Sequence, residues 1–497
     1  MKHTLGIDIG TFGAKGVLAD ATGRIVAQAS CDHKMIVPQP GWAEHRADAD
    51  WWGGFTHLAQ ALLAQSGVDP ASIAAVAASA IGPCMLPVDT DGAPLMNAVL
   101  YGVDTRASEE IALLNDRIGP EAIFTRCGNA LTSQSVGPKI LWLKRQRPAL
   151  FARTAHVMNA ATYLTFRLTG EVVIDHYTAA NFSPLYDVTT QDWAANLAED
   201  IIGLDKLPRL MWSNEIAGHI TPKAAGETGL AIGTPVLCGT IDAGAEALSV
   251  GLQHPGDMMM MYGSTIFVIQ RTSGRVADPA LWYAPWLFAG EHVSMAGLAT
   301  SGTLTHWFRD QFAQDLPVET AFTALAAEAA ASPPGAKGLL CLPYFSGERT
   351  PLHDPRAKGA ILGLDLTHSR GDIYRAVLEG IAHASAHVID TYRAAGQPPA
   401  RVLAVGGGVQ NTVWLQATSD IGEVPQVISR SSVGASLGDA FLAATAVGLA
   451  RRADIALWNP PELRIEPVAH PVYAKARPLF RALYTQTRDI AYALGTP

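Results

Sequence analysis

Charge is scarce in this 497-residue chain: 16% of residues are Asp, Glu, Lys or Arg, against 48% that are hydrophobic. No Lys/Arg run is longer than two, and the formal net charge is -9. Nucleic acid and anionic membrane both need a basic patch, so the composition argues against them and fits a small neutral or polar ligand. Cysteine is scarce too. Cys31, Cys84, Cys127, Cys238 and Cys341 are scattered, odd in number and without a C-x-x-C pair, which excludes a disulfide framework or zinc site and points to a reducing compartment. The opening MKHTLGIDIG passes straight into a strand pattern, and the longest apolar stretch, 73–88, is broken by Ser79, Gly82, Pro83 and Pro87. A soluble cytoplasmic protein is expected. Absent as well are G-x-x-x-x-G-K-[ST], G-x-G-x-x-G and H-E-x-x-H, which removes the commonest phosphate and zinc-hydrolase signatures.

What is present is an α/β pattern, long enough for about two to four domains. Leu5, Ile7 and Ile9 alternate with Gly6, Asp8 and Gly10, the period of a half-buried strand, and 15–19 and 24–28 continue a β-meander. Some 250 residues later, 258–262, Gly263-Ser264-Thr265 and 266–270 repeat the strand, Gly-hydroxyl turn, strand unit. Two versions of one plan are therefore expected, 1–250 and 251–497, with the boundary near 250–255. Helices are expected at 50–66, 139–144, 439–447 and 373–382, the last behind a Ser369-to-Asp372 capping box; strands at 74–78, 236–238 and 402–405; and a surface strap at 459–462.

Four constellations could carry chemistry. Asp8-Ile9-Gly10-Thr11, followed by Lys15, reads as an acidic hairpin turn or as a phosphate cradle: amides and the Thr11 hydroxyl face phosphate, and Asp8 holds Mg²⁺ directly or through water. Gly263-Ser264-Thr265 supplies a matching second turn. Asp242 stands where strand passes to helix, either as an N-cap or as a carboxylate kept ionised by the helix end and ready to orient an attacking hydroxyl. Gly406-Gly407-Gly408, with Asn411 able to cap the next helix, permits close approach of a flat ring or ribose. A fifth pattern, Gly434-x-Ser436-x-Gly438, could be a nucleophile elbow with Asp454 and His470, or simply the small residues of a packed helix start.

Together these residues resemble the FGGY carbohydrate kinases of the actin, hexokinase and heat-shock chaperone ATPase superfamily. The resemblance extends over nearly the whole chain, through Gly41-Trp42-Ala43-Glu44-His45, Lys139-to-Trp142, Gly302-to-Trp307, Pro343-to-Pro351 and Gly359-to-Glu379. It implies two ribonuclease H-like (actin-like ATPase) α/β domains around a central cleft. The N-terminal one would carry the sugar site, the first hairpin and the catalytic Asp242; the C-terminal one, the second hairpin and an adenosine pocket. ATP would meet Gly10, Thr11, Lys15, Gly263, Ser264 and Thr265 through its phosphates, and Gly302, Gly407, Gly408, Gln410 and Asn411 through its adenosine. Asp8 would serve Mg²⁺ and the sugar, with Glu44, Gly82, Pro83, His176, Tyr177 and Asp242 completing the sugar site and His45 as a further polar candidate. Glu348 and Arg349 read as a structural pair.

The implied activity is ATP-dependent phosphorylation of a small sugar, a ketopentose such as xylulose or ribulose. A polyol or another ketose is the alternative within the family; a sugar or nucleotide sensor is the alternative of another class. The resemblance also allows a homodimer. Three departures bear on the sugar. Gly82-Pro83 stands where xylulokinases usually carry Met-His, Ala243 where an Asn often follows the catalytic Asp, and Tyr101 begins the Asp104-x-Arg106 element where Trp is usual. Losing an imidazole and an amide removes hydrogen bonds to sugar hydroxyls, which is where enzymes discriminate by large factors.

Overall fold

The segment of Leu5, Ile7 and Ile9 forms β1 (His3–Ile9), buried on both faces except at Asp8 rather than half-buried, followed by the antiparallel β2 (Gly13–Asp20) and β3 (Ile25–Asp32). The apolar run at 73–80 becomes β4 (Ile73–Ala80), parallel to β1. Then come β5 (Ile216–His219), β6 (Pro235–Leu237) and the short β7 (Thr240–Ile241), giving a sheet in the order β5-β6-β4-β1-β2-β3 with β7 beside the end of β4. The computed structural model describes residues 2–198, 200–431 and 433–495.

The chain folds into two compact units. The first is Met1–Gly251 with Tyr283–His292 and Val433–Pro460; the second is Leu252–Trp282 with Val293–Ser432 and Pro461–Pro497. A division at 250 assigns 283–292 and 433–460 to the second half, whereas in the fold both segments pack with the first unit. The helix Ala435–Ala446 explains part of this, because its buried face packs on β1, β4 and the helix Asp242–Ser249.

The second unit repeats the plan. Its β8 (Asp257–Tyr262) is antiparallel to β9 (Ile266–Thr272) and parallel to β11 (Arg401–Val405), in the order β10-β9-β8-β11-β12-β13 with β10 (His292–Leu298), β12 (Gln426–Ser429) and β13 (Pro461–Ile465). Its core packs Met258, Met260 and Val402 from the sheet against Val377, Leu378 and Ile381 of the helix Arg370–Ala394. The capping box forms as expected, with Ser369 Oγ accepting from the Asp372 amide, but the helix continues twelve residues past Ala382 because Val388, Ile389 and Tyr392 keep its buried stripe going. The expected strap is instead the edge strand β13, where Pro461 begins the pairing without needing to donate. Among the described residues, no helix is long and apolar enough to cross a membrane.

Candidate active site

Strand register creates the first cluster. Asp8 of β1 lies opposite Ser79 of β4, and Ser79 lies opposite Thr240 of β7, two residues before Asp242. The Ser79 hydroxyl is 2.7 Å from Asp439 Oδ2 and 3.3 Å from Asp8 Oδ1, and the Ser79 amide donates to the same Asp439 oxygen at 3.1 Å. One hydroxyl proton cannot serve both carboxylates, and the shorter contact favours Asp439. Asp439 reaches this place because two glycines let its helix come unusually close. A Cβ on Gly6 would lie 2.0 Å from the Ser436 carbonyl oxygen, and one on Gly438 would lie 1.9 Å from that of Ala245.

Asp242 is the first residue of its helix rather than its N-cap. Pairing of β7 leaves Ile241 extended and in the capping position, and Asp242 Oδ1 accepts from the Ala243 amide at 2.7 Å. The helix end expected to favour the ionised form is opposed here: burial pushes the Asp242 carboxyl up to about 7, against the pull of the Ala243 amide, with Glu246 adding to the rise. One helix end is worth too little to offset dense burial among like charges. Asp8 is held well above the usual carboxylate range, first by burial and then by Asp242, Asp439 and Glu246. Asp439 is raised in the same direction, again chiefly by burial. Burial raises the Glu246 carboxyl as well, and Lys15, exposed and opposite Asp8 across the hairpin, only partly opposes that rise. Sequence reasoning does not single out Ser79, Glu246 or Asp439 for this cluster. Glu246 is legible as the i+4 neighbour of Asp242 on one helix face.

The turn between β1 and β2 closes with the Gly10 amide donating to the Gly13 carbonyl at 2.9 Å, so that amide is spent inside the hairpin. Thr11 Oγ1 lies 3.4 Å from the Tyr101 hydroxyl. In the second unit, Gly263 likewise donates to Thr265 at 3.1 Å. This hairpin borders a cavity of about 430 Å³ that brings together Gly263, Ser264, Gly302, Gly407, Gly408, Gln410 and Asn411. Thr265 is not among its lining residues. Gly302 abuts the hairpin, since a Cβ there would lie 2.5 Å from the Gly263 oxygen, whereas a Cβ on Gly407 would meet only open space. Asn411 caps the helix Thr412–Gly422 by accepting from the Trp414 amide at 3.1 Å. The cavity also gathers aromatic walls that the sequence does not mark, Tyr262, Phe322, Tyr374 and Trp414. The Trp414 indole N–H finds no acceptor among the described residues.

On the sugar side, Gly82 packs against Ile241, its ideal Cβ position lying 2.8 Å from that side chain, and Pro83 is buried. Tyr177 is buried, and Asp242 is one of the charges acting on its hydroxyl. His176 accepts or donates through Nδ1 to the Tyr186 hydroxyl at 2.8 Å and packs on Trp212. Glu44 receives Arg106 at 2.9 Å and Asn97 at 3.0 Å, with the Arg106 guanidinium lying over the rings of both Trp42 and Trp142. Both nitrogens of His45 are engaged within the protein, Nε2 with the Thr11 carbonyl and Nδ1 with the Trp51 indole. Glu348 accepts from the backbone of Ala299 and Arg349 rather than from a guanidinium.

The nucleophile-elbow reading is overturned. Ser436 is fully buried inside its helix, Asp454 pairs with Arg451 and His470 pairs with Asp420.

Two α/β units of one topology, one bearing a carboxylate cluster at its strand ends and the other a glycine-lined cavity, define a phosphotransferase-like architecture. The N-terminal-domain pattern of the FGGY family of carbohydrate kinases matches residues 3–249, and the C-terminal-domain pattern matches residues 258–447. The chain belongs to this family, whose members transfer phosphate from ATP to a sugar hydroxyl. It is similar to the xylulose kinase of Escherichia coli strain K12, with 30% identity over 493 residues covering 97% of this chain and 98% of the relative. It is also 28% identical over 506 residues to the xylulose kinase of Bacillus subtilis strain 168, covering 99% of each. The crystal structure of xylulose kinase from Rhodospirillum rubrum superposes with a TM-score of 0.92 at 30% identity, covering 99% of this chain and 100% of that one.

Proposed function

We propose that the protein phosphorylates a small ketose, xylulose first among the candidates, with Asp242 as the group that orients the attacking hydroxyl and accepts its proton. The observation that carries this reading is the placement of Asp242 at a helix start beside the Asp8, Ser79 and Asp439 cluster. A carboxyl near pH 7 in its proton affinity is poised to hold or release a proton at working pH. The similarity to xylulose kinases over nearly the whole chain supports the choice of sugar.

In this reading the first unit handles the sugar and the second the nucleotide, with Gly407, Gly408, Gln410 and Asn411 admitting the adenosine and the hairpin at 263–265 meeting phosphate. Thr11 and Lys15 serve phosphate from the first unit. The cluster holds more negative charge than Lys15 offsets, which adds to the rise that burial gives its carboxyls; a divalent cation fits that imbalance, with Asp8 as its ligand. Among the described residues no three His, Cys, Asp or Glu side chains are arranged to hold a metal. Phosphate oxygens and water would therefore complete the shell, the usual arrangement for Mg²⁺, which when bound neutralises charge developing on phosphate.

A second reading within the family, a polyol or another ketose as substrate, draws on Gly82-Pro83 and Ala243, which offer no side-chain hydrogen bond to a sugar hydroxyl. Coupled ADP release over ketopentoses, ketohexoses, tetritols, pentitols and glycerol separates the two. Asp242→Asn is expected to lower turnover on the best substrate by about 10²–10⁴-fold, the usual contribution of a positioned proton acceptor. Near-normal turnover in that variant refutes the assignment.

A further inference from the structure

We infer that His33 and His45 are positioning residues of the first hairpin: each imidazole grips a tip carbonyl and thereby aims the adjoining backbone amides at phosphate. His33 Nε2 lies 2.9 Å from the Gly10 oxygen, and His45 Nε2 lies 3.1 Å from the Thr11 oxygen. The third tip carbonyl, that of Phe12, accepts from the His33 amide at 3.1 Å. Because a trans peptide is planar, its C=O and the next N–H point in opposite directions. Fixing the Gly10 and Thr11 carbonyls toward the imidazoles therefore turns the Thr11 and Phe12 amides away from them, as successive N–H groups do in an anion-binding nest.

The tautomers follow from the partners. The Trp51 indole N–H donates to His45 Nδ1 at 3.1 Å, so His45 carries its proton on Nε2 and donates to Thr11. Burial, and then the neighbouring His33, hold the His45 imidazole down at about 4, so it stays a neutral donor at working pH. The two rings meet edge to face at 5.0 Å, which ties one grip to the other.

The second unit supports the same logic with different parts. There the Gly263 oxygen accepts from the Gly302 amide and the Ser301 hydroxyl, both at 2.9 Å. The Ser264 oxygen accepts from the Ser301 and Thr303 amides and the Thr303 hydroxyl. In both units the first two residues of the Gly-hydroxyl pair thus have their carbonyls held from outside. A helix start does this in the second unit, and two imidazoles do it in the first.

The inference rests on the reading of the first hairpin as a phosphate site, and the test separates the two. His33 is half-buried, so His33→Ala should fold; its melting curve is checked first. It is expected to raise the KM for ATP about fivefold, the size of one net hydrogen bond, with the KM for sugar unchanged. His33→Gln, whose amide can donate to Gly10, should recover most of that loss. His45→Gln, which keeps a donor near Thr11 but forfeits the Trp51 contact, should bind ATP better than His45→Ala. Thr11→Val reports on the hairpin itself. If Thr11→Val weakens ATP and His33→Ala does not, the imidazole grip is refuted while the phosphate reading stands. If neither changes the KM for ATP, both are refuted. Equal losses in ATP and sugar KM, or no rescue by Gln, would reduce the histidines to ordinary packing and overturn the inference.

Discussion

Asp242→Asn should make the protein more stable while disabling it, and the gain should grow with pH. The Asp242 carboxyl has an ordinary value of 3.8 and is raised to about 7 by burial and Glu246. Below 3.8 the acid is protonated in both folded and unfolded chains and costs nothing. Between 3.8 and about 7 the unfolded chain loses its proton while the folded one keeps it, so stability falls as pH rises and then levels off. At about 1.4 kcal/mol per unit, three units amount to about 4 kcal/mol. Asp242 is half-buried rather than sealed from solvent, so screening reduces this to about 2 kcal/mol. The Asn carbonyl can keep the Ala243 hydrogen bond without the charge, and its removal also relieves Asp8 and Asp439, which Asp242 helps to raise. For a unit of this size about 2 kcal/mol is about 4–8 °C in melting temperature. At pH 5 only the first third of the window has been crossed, and the gain should shrink to about 2–3 °C. The assay is differential scanning calorimetry of wild type and Asp242→Asn at pH 5 and 8, with chelator and without nucleotide. No gain at pH 8, or a gain larger at pH 5, refutes the buried-charge account of the cluster.

Two further outcomes follow from the same geometry. Glu246→Gln removes one of the charges raising Asp242, so the acid limb of kcat/KM, expected near pH 7 in the wild type, should move to lower pH; a pH-rate profile that stays put or moves upward contradicts this. Gly302→Ala places a methyl 2.5 Å from the Gly263 oxygen and should push the second hairpin out of line. The KM for ATP is then expected to rise about tenfold with little change for sugar, since overpacking of this kind costs about 1–3 kcal/mol; unaltered ATP kinetics would show that the hairpin shifts freely.

Much of the scaffold is readable because its signals are local. Alternation at Leu5, Ile7 and Ile9 gives β1, the Ser369-to-Asp372 box starts its helix and Asn411 caps the next one. The two Gly-hydroxyl turns stand out by repetition. The carboxylate cluster is only half readable. Asp8 and Asp242 announce themselves by lying beside glycine turns, but Asp439 sits in an apolar helix and joins them only through the close packing that Gly6 and Gly438 permit. His45 is legible as a polar residue in an aromatic segment, yet its partner, the Thr11 carbonyl, is backbone and leaves no mark in sequence. The protonation of Asp242 escapes a sequence reading for a related reason. The helix start is visible in sequence, whereas the burial that outweighs it depends on chain segments far apart.

The repeated topology explains why the two units carry different chemistry on one plan. In the first, the strand residue two before the hairpin glycine is Asp8, and its parallel neighbour across the register is Ser79. In the second, the corresponding residue before Gly263 is Met261, and its parallel neighbour is Val405, followed at once by Gly406. A carboxylate and a hydroxyl at that pair of positions gather charge and proton acceptors at the strand ends. A methionine and a valine at the same pair leave them apolar, and the glycines that follow leave the backbone bare along the cavity. Gly406, with φ of +92° and its ideal Cβ position 2.8 Å from the Tyr262 oxygen, admits no other residue without strain. The hairpin is therefore common to both units, and one register pair beside it, Asp8 and Ser79 in the first and Met261 and Val405 in the second, separates the unit with carboxylates at its strand ends from the unit with glycines there.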